Sequence, residues 1–183
     1  MIASTGTDRG PEVQSGDDAI IEVHGLHKAF GKQEVLRGID LRIVTGRTTV
    51  IIGGSGSGKS VLLKHLIALM RPDHGQVMFH GQDIFAMSAR EVLSVRGRFG
   101  MLFQNSALFD SMNVYENVAF PLREHRRKLS RAAERKIVID SLHALNLHNA
   151  EDKFPSELSG GMRKRVALAR ATILGPEIIL YDE

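Results

Sequence analysis

The chain has 183 residues, 43% of them apolar and 25% charged, with a formal net charge of +3 and no cysteine. That is one domain's worth of chain, long enough to bury a core. It rules out disulfide bonds and gives no argument by itself for nucleic acid or an acidic membrane surface. It also leaves no apolar run of membrane-spanning length, because the longest are broken by Lys64 or by glycines.

Residues 1–19 hold Gly, Ser, Thr, Asp and Pro11, with neither a basic start nor an apolar stretch. They read as a disordered tail rather than a signal peptide, so the ordered domain is expected over 20–183. Strands are predicted at Ile20 to Val23, at Ile39 to Val44 after the turn around Gly38, and at Thr48 to Ile52. A helix follows in which Leu62, Leu63, Leu66, Ile67 and Met70 share one face, ending near Met70 before Pro72. Gly75 to Phe79 reads as a strand, with Gly81 at its turn. Ser88 to Arg96 reads as a helix with Ser88 and Glu91 at capping-box spacing. Phe99 to Phe103 is a short core strand leading to Gln104. From Val114 to Leu147 the apolar period is helical. Its basic cluster, Arg126, Arg127, Lys128, Arg131, Arg135 and Lys136, has no interleaved aromatics and reads as a solvated face, not a nucleic-acid patch. Ser159 to Leu174 is a further helix, and Ile178 to Tyr181 a closing strand. Strands alternating with helices in this way predict an α/β fold with a mostly parallel sheet and an inserted helical subdomain over about 106–174.

Three segments carry chemistry. The first is Gly53-Gly54-Ser55-Gly56-Ser57-Gly58-Lys59-Ser60, a G-x-x-x-x-G-K-[ST] pattern between a strand and a helix. Its glycines let backbone N–H groups wrap an anion at a helix N-terminus. Lys59 supplies a charge for β- and γ-phosphates, and the Ser60 hydroxyl a ligand for Mg²⁺. The second is the buried strand that ends in Asp182 and Glu183, suited to hold Mg²⁺ and to polarise water as general base. The third is Ser159-Gly160-Gly161, a serine and two glycines at a helix start, which expose amides at the positive end of the dipole.

In this order and spacing, the phosphate loop, Gln104 after a strand, Leu158-Ser159-Gly160-Gly161 and the strand ending in Asp182-Glu183 resemble an ABC-transporter ATPase subunit. The resemblance covers Ile20 to Glu183. It implies the P-loop NTPase fold of that family, with an N-terminal antiparallel β part, and ATP and Mg²⁺ as ligands. It also implies that residues 53–61, including Val61, hold the nucleotide and that Phe30 stacks on adenine. Ser60, Gln104 and Asp182 would serve the metal, and Lys59, Gln104 and Glu183 the hydrolysis. Ser159, Gly160 and Gly161 would cover the γ-phosphate held by the opposite subunit of a head-to-tail homodimer.

The segments Phe103 to Met112 and Leu158 to Val166, with Met162 where many relatives have Gln, look like the Mla-type phospholipid transporters. That resemblance implies permease partners, possession of a lipid-binding partner by the system, and a place on the cytoplasmic face of the inner membrane. The alternatives are an ABC importer or exporter ATPase for another substrate, or a soluble non-transport ABC-type ATPase, although neither a second cassette nor a long coiled-coil insertion is visible. The family pattern continues past the Asp-Glu pair with a loop, a strand and a His, and no His follows His148 here. The chain is therefore expected to be truncated, and poor at hydrolysis on its own.

Overall fold

Two long strands, β2 (Ala19–Phe30) and β3 (Gln33–Val44), form because branched apolar residues alternate with polar ones over both segments. They pair antiparallel across Gly31 and Lys32, with Phe30 opposite Gln33. This computed structural model describes residues 2–5, 19–103, 106–126 and 128–182, in two compact units, Met1–Arg96 and Gly97–Glu183.

In the first unit, β2 also pairs antiparallel with β5 (His74–Phe79), which pairs with the short β6 (Gln82–Asp83), giving the sheet order β3-β2-β5-β6. This is the antiparallel β part that the family resemblance implied. Ile21, Val23, Leu26 and Val77 are buried in it, each worth about 1.5–3 kcal/mol when fully covered. β2 and β3 run longer than the sequence reading had them, because His24, Lys28 and Glu34 occupy exposed or half-buried strand positions that break the apolar pattern. A short β1 (Ile2–Thr5), where a disordered tail was expected, pairs antiparallel with β4 (Thr49–Ile52).

The helix α1 (Lys59–Leu66) stops earlier than its apolar period suggests. Ala68 adopts the left-handed conformation at φ 54°. Its N–H donates to His65 O and that of Leu69 to Lys64 O, the paired bonds of a Schellman ending. Arg96 reinforces the stop from α2 (Ala89–Arg96), donating to Ile67 O at 3.2 Å and Ala68 O at 2.6 Å. At the other end of α2, the Ser88 backbone and hydroxyl both donate to Glu91 Oε2, as the capping-box spacing predicted.

In the second unit, β7 (Phe99–Phe103) and β8 (Ile178–Asp182) pair in parallel, with the intervening helices as the crossover. The predicted stretch 114–147 is two helices. α3 (Val114–His125) begins with an Asn113–Glu116 capping box, and α4 (Arg131–Ala144) restarts where Ser130 caps it. α5 (Gly160–Thr172) packs with both; Val118, Leu122, Val138, Leu142, Val166 and Ala169 form their shared core. α5 also lies close on β7. A Cβ on Gly100 would sit 2.5 Å from Ala171 O, so that crossing requires glycine.

Candidate functional site

The phosphate loop lies between β4 and α1, as its spacing demands. Gly58, the residue before α1, is left-handed at φ 94°, ψ 10°. An added Cβ there would also lie 2.8 Å from Val35 Cγ1 on β3, so conformation and packing both require glycine. At Gly53, a Cβ would come within 2.5 Å of Ser57 Oγ. That hydroxyl is buried and has no hydrogen-bond partner among the described residues. Leu62 N–H donates to Gly58 O and Ser57 N–H to Gly54 O, which fold the loop onto the helix start.

The Lys59 ammonium bends back over the loop and donates to Gly53 O at 2.7 Å and Gly54 O at 2.9 Å. No acidic residue occupies the first turn of α1, so its N-terminal dipole is not neutralised locally. Ser55 and Gly56 are exposed at the loop crest, Ser60 is exposed in the first turn, and Val61 is half-buried behind it. A glycine cradle with a buried hydroxyl and a lysine ammonium held over it fits a phosphate chain.

Phe30 stands at the end of β2 with 47% of its surface exposed. Beside it, the Lys28 ammonium lies 5.8 Å from the ring centroid and pairs with Asp73 at 2.7 Å. Hydrogen bonds from Lys28 and from the Ala29 N–H hold the Asp73 carboxyl below the usual range. An exposed aromatic face next to a fixed cation is suited to a planar, electron-rich ring.

In the second unit, Ser159 caps α5, its Oγ accepting from Met162 N–H at 3.3 Å. Arg163 donates back to Leu158 O at 2.6 Å and fixes the entry. Gly160 and Gly161 are exposed in the first turn, and a Cβ on Gly161 would meet nothing within 4 Å. The first turn of α5 contains no acidic residue either. Asp182 ends β8 opposite Phe103 of β7. It borders a hollow of about 190 Å³ lined also by Leu102, Ser106, Leu168 and Tyr181. Gln104 and Glu183, both expected at the site, lie outside the described residues.

Two polar residues that the sequence reading passed over organise the loop after Gln104. The Asn117 side chain is fully buried on α3. Its amide accepts from Phe109 N–H at 2.8 Å and donates to the carbonyls of Phe109, Met112 and Asn113. From α5, Arg170 donates to Ser106 O and Ala107 O. The signal for both was a polar residue beside an apolar stripe, Asn117 next to Val118 and Arg170 next to Ala169. Of the basic cluster, Lys136 pairs with Asp140 at 2.7 Å, Arg126 reaches Leu174 O, and Arg127 lies outside the described residues.

The profile of the family described as ABC transporter matches residues 36–183. Over 163 residues the chain is 51% identical to the probable ribonucleotide transport ATP-binding protein mkl of Mycobacterium leprae, covering 89% of this chain and 47% of that one. It is 44% identical over 164 residues to the intermembrane phospholipid transport system ATP-binding protein MlaF of Haemophilus influenzae, covering 90% and 62%. A solved dimeric ATP-binding cassette, bound to ADP and Pi after hydrolysis, is similar at a TM-score of 0.79 and 30% identity, covering 89% and 73%. The chain thus spans between 47% and 62% of the length of these two curated relatives. A phosphate loop backed by β3, a serine-capped glycine start to α5 and a parallel strand ending in Asp182 agree with that match, and the chain belongs to the ABC transporter family.

Proposed function

We propose that this chain is the ATP-binding and ATP-hydrolysing part of a membrane ABC transporter. The observation that carries the reading is the Lys59 ammonium held on Gly53 O and Gly54 O above a cradle that only glycine fits at Gly58. A triphosphate takes over that cation: Lys59 leaves the two carbonyls for the β- and γ-phosphates while the loop amides bind the same oxygens. Phe30 offers its exposed face to adenine. By the family resemblance, Ser60 and Asp182 would hold Mg²⁺ through oxygen ligands of the kind it prefers, and the ion would neutralise charge on the phosphates. Glu183 aligns and deprotonates the attacking water and Gln104 senses Mg²⁺ and that water, roles that the family resemblance implies.

Ser159, Gly160 and Gly161 of a second copy complete the pocket by covering the γ-phosphate in a head-to-tail dimer. The dimeric cassette among the similar structures supports this. Among the described residues no helix is long and apolar enough to cross a membrane. From the family resemblance, the proposal includes permease subunits that seat the protein peripherally on the cytoplasmic face of the inner membrane. Phospholipid is the cargo we favour, with a lipid-binding partner in the same system. The segments around Gln104 and Met162, and the similarity to a protein named for intermembrane phospholipid transport, support it. Another cargo is the second reading, because a relative named for ribonucleotide transport is more similar still.

Titration of the full-length protein with a fluorescent ATP analogue, followed by phosphate release in liposomes containing the permease, tests the proposal. Glu183→Gln is expected to bind the analogue normally and to hydrolyse ATP about 10²- to 10⁴-fold more slowly. Near-normal turnover in that variant would remove Glu183 from the role. Stimulation by phospholipid but not by ribonucleotide would assign the cargo, and the reverse would reassign it.

A further inference from the structure

The segment that follows Gln104 is held in an unusual shape. Ser106 and Ala107 are both left-handed, at φ 61° and 45°, conformations that a Cβ disfavours. Their carbonyl oxygens face α5, and each receives one arm of the same guanidinium. Arg170 Nη1 donates to Ala107 O at 2.8 Å and Nη2 to Ser106 O at 3.0 Å. The guanidinium carbon also lies 5.6 Å from the centroid of the Phe109 ring.

Arg170 is half-buried, and burial pulls its pKa down, though an arginine stays charged. No carboxylate among the described residues forms an ion pair with it. Its charge is met by two carbonyl dipoles and an aromatic face. Swinging away would leave two left-handed residues unsupported and a partly desolvated cation without acceptors. Asn117 secures the far side of the same segment at Phe109 and Met112, so the loop is gripped from α3 and α5 together.

We infer that Arg170 is a positioning residue that fastens the helix begun at Ser159 to the loop behind Gln104, so that the two move as one body. The inference rests on the reading of the chain as an ATP-driven subunit that closes on a second copy. α5 spans about 15 Å from Gly160 to Arg170, so a push at its serine-capped start is delivered to Ser106 and Ala107 with little loss. A lysine would have to reach both carbonyls from a single nitrogen, whereas the guanidinium meets each with its own nitrogen and holds their spacing fixed.

The test uses the full-length protein with its permease. Residues 1–183 contain no cysteine, so spin labels at Asp110→Cys and Lys164→Cys report the distance between loop and helix. In the otherwise unaltered chain, one narrow distance is expected, unchanged when an ATP analogue is added. Arg170→Gln is expected to broaden it, with or without nucleotide. Arg170→Lys and Arg170→Gln are expected to lower kcat by about 10- to 100-fold while KM for ATP stays within about threefold.

A shift of more than about 3 Å on ATP binding in the unaltered chain would overturn the inference, because helix and loop would then move separately. So would an Arg170→Gln chain with unaltered distances and kcat. Should the variants fail to fold, the labelled unaltered chain decides the matter alone. Failure of that chain to bind the ATP analogue counts against the ATP reading only; the clamp then stands or falls on the nucleotide-free distances with and without Arg170.

Discussion

Lys59 and Gly53 are bonded across the phosphate loop, the ammonium donating to the carbonyl at 2.7 Å, with Gly54 O 2.9 Å away on the same nitrogen. The cation is thus stored on its own loop, and a triphosphate must outcompete two neutral acceptors. Lys59→Ala is expected to weaken binding of a fluorescent ATP analogue by about 10- to 100-fold, the worth of a charge-assisted contact. The thermal midpoint should barely move, since exposed and half-buried backbone carbonyls can turn to water. Unchanged affinity in a direct titration would contradict the loop assignment.

Gly58 faces a different constraint. Alanine there must hold φ near 94° and place its Cβ 2.8 Å from Val35 Cγ1. Gly58→Ala is expected to cost about 1–3 kcal/mol of stability. In urea titrations, an unchanged midpoint would show that β3 yields without strain.

His65 makes the first unit sensitive to acid. Its ring is fully buried on α1, and Nδ1–H donates to Val61 O at 2.7 Å. Burial lowers its pKa first, and the nearby positive charge of Lys28 adds to that. The unfolded ring takes a proton near pH 6.5 while the folded one resists. Stability is therefore fully present above about pH 6.5 and falls as pH drops from there toward the lower folded value. Urea midpoints at pH 7.5 and 5.5 should differ in the unaltered chain, and His65→Leu should reduce the difference. An equal difference in the variant would place the sensitivity elsewhere.

Glu134 on α4 is the common acceptor for two donors on α3. One oxygen, Oε1, receives Tyr115 Oη at 2.9 Å, Arg123 Nη2 at 2.8 Å and Arg123 Nε at 3.1 Å. The guanidinium holds the Glu134 carboxyl below its usual range. Glu134→Ala leaves these donors of α3 unmatched by α4, and a loss of about 1–3 kcal/mol is expected by denaturant unfolding. A loss below a few tenths would mean that water replaces the carboxylate freely.

The parts of the molecule that were legible in the sequence are the local ones. The phosphate loop, the Ser88–Glu91 box and the Ser159 cap are each contained within a few residues, so spacing alone carried them. β7 was read at its observed bounds because its apolar run is flanked by Arg98 and Gln104. The end of α1 was not legible, since Ala68 takes a place that glycine usually marks. Nor was the gap between α3 and α4, where the apolar period continues across a helix restart at Ser130. The grip of Arg170 on Ser106 joins residues 64 positions apart, and no periodicity reports a bond of that span.

Two exposed glycines open α5. Outside its own turn, a Cβ at Gly161 would meet nothing within 4 Å among the described residues, and one at Gly160 would meet only the tip of Arg163, at 3.9 Å. Nothing internal asks for glycine there, and alanine would make a sturdier first turn, by a few tenths to about 1 kcal/mol. The helix is softer at its tip than a first turn built on alanine, and its opening backbone stays exposed.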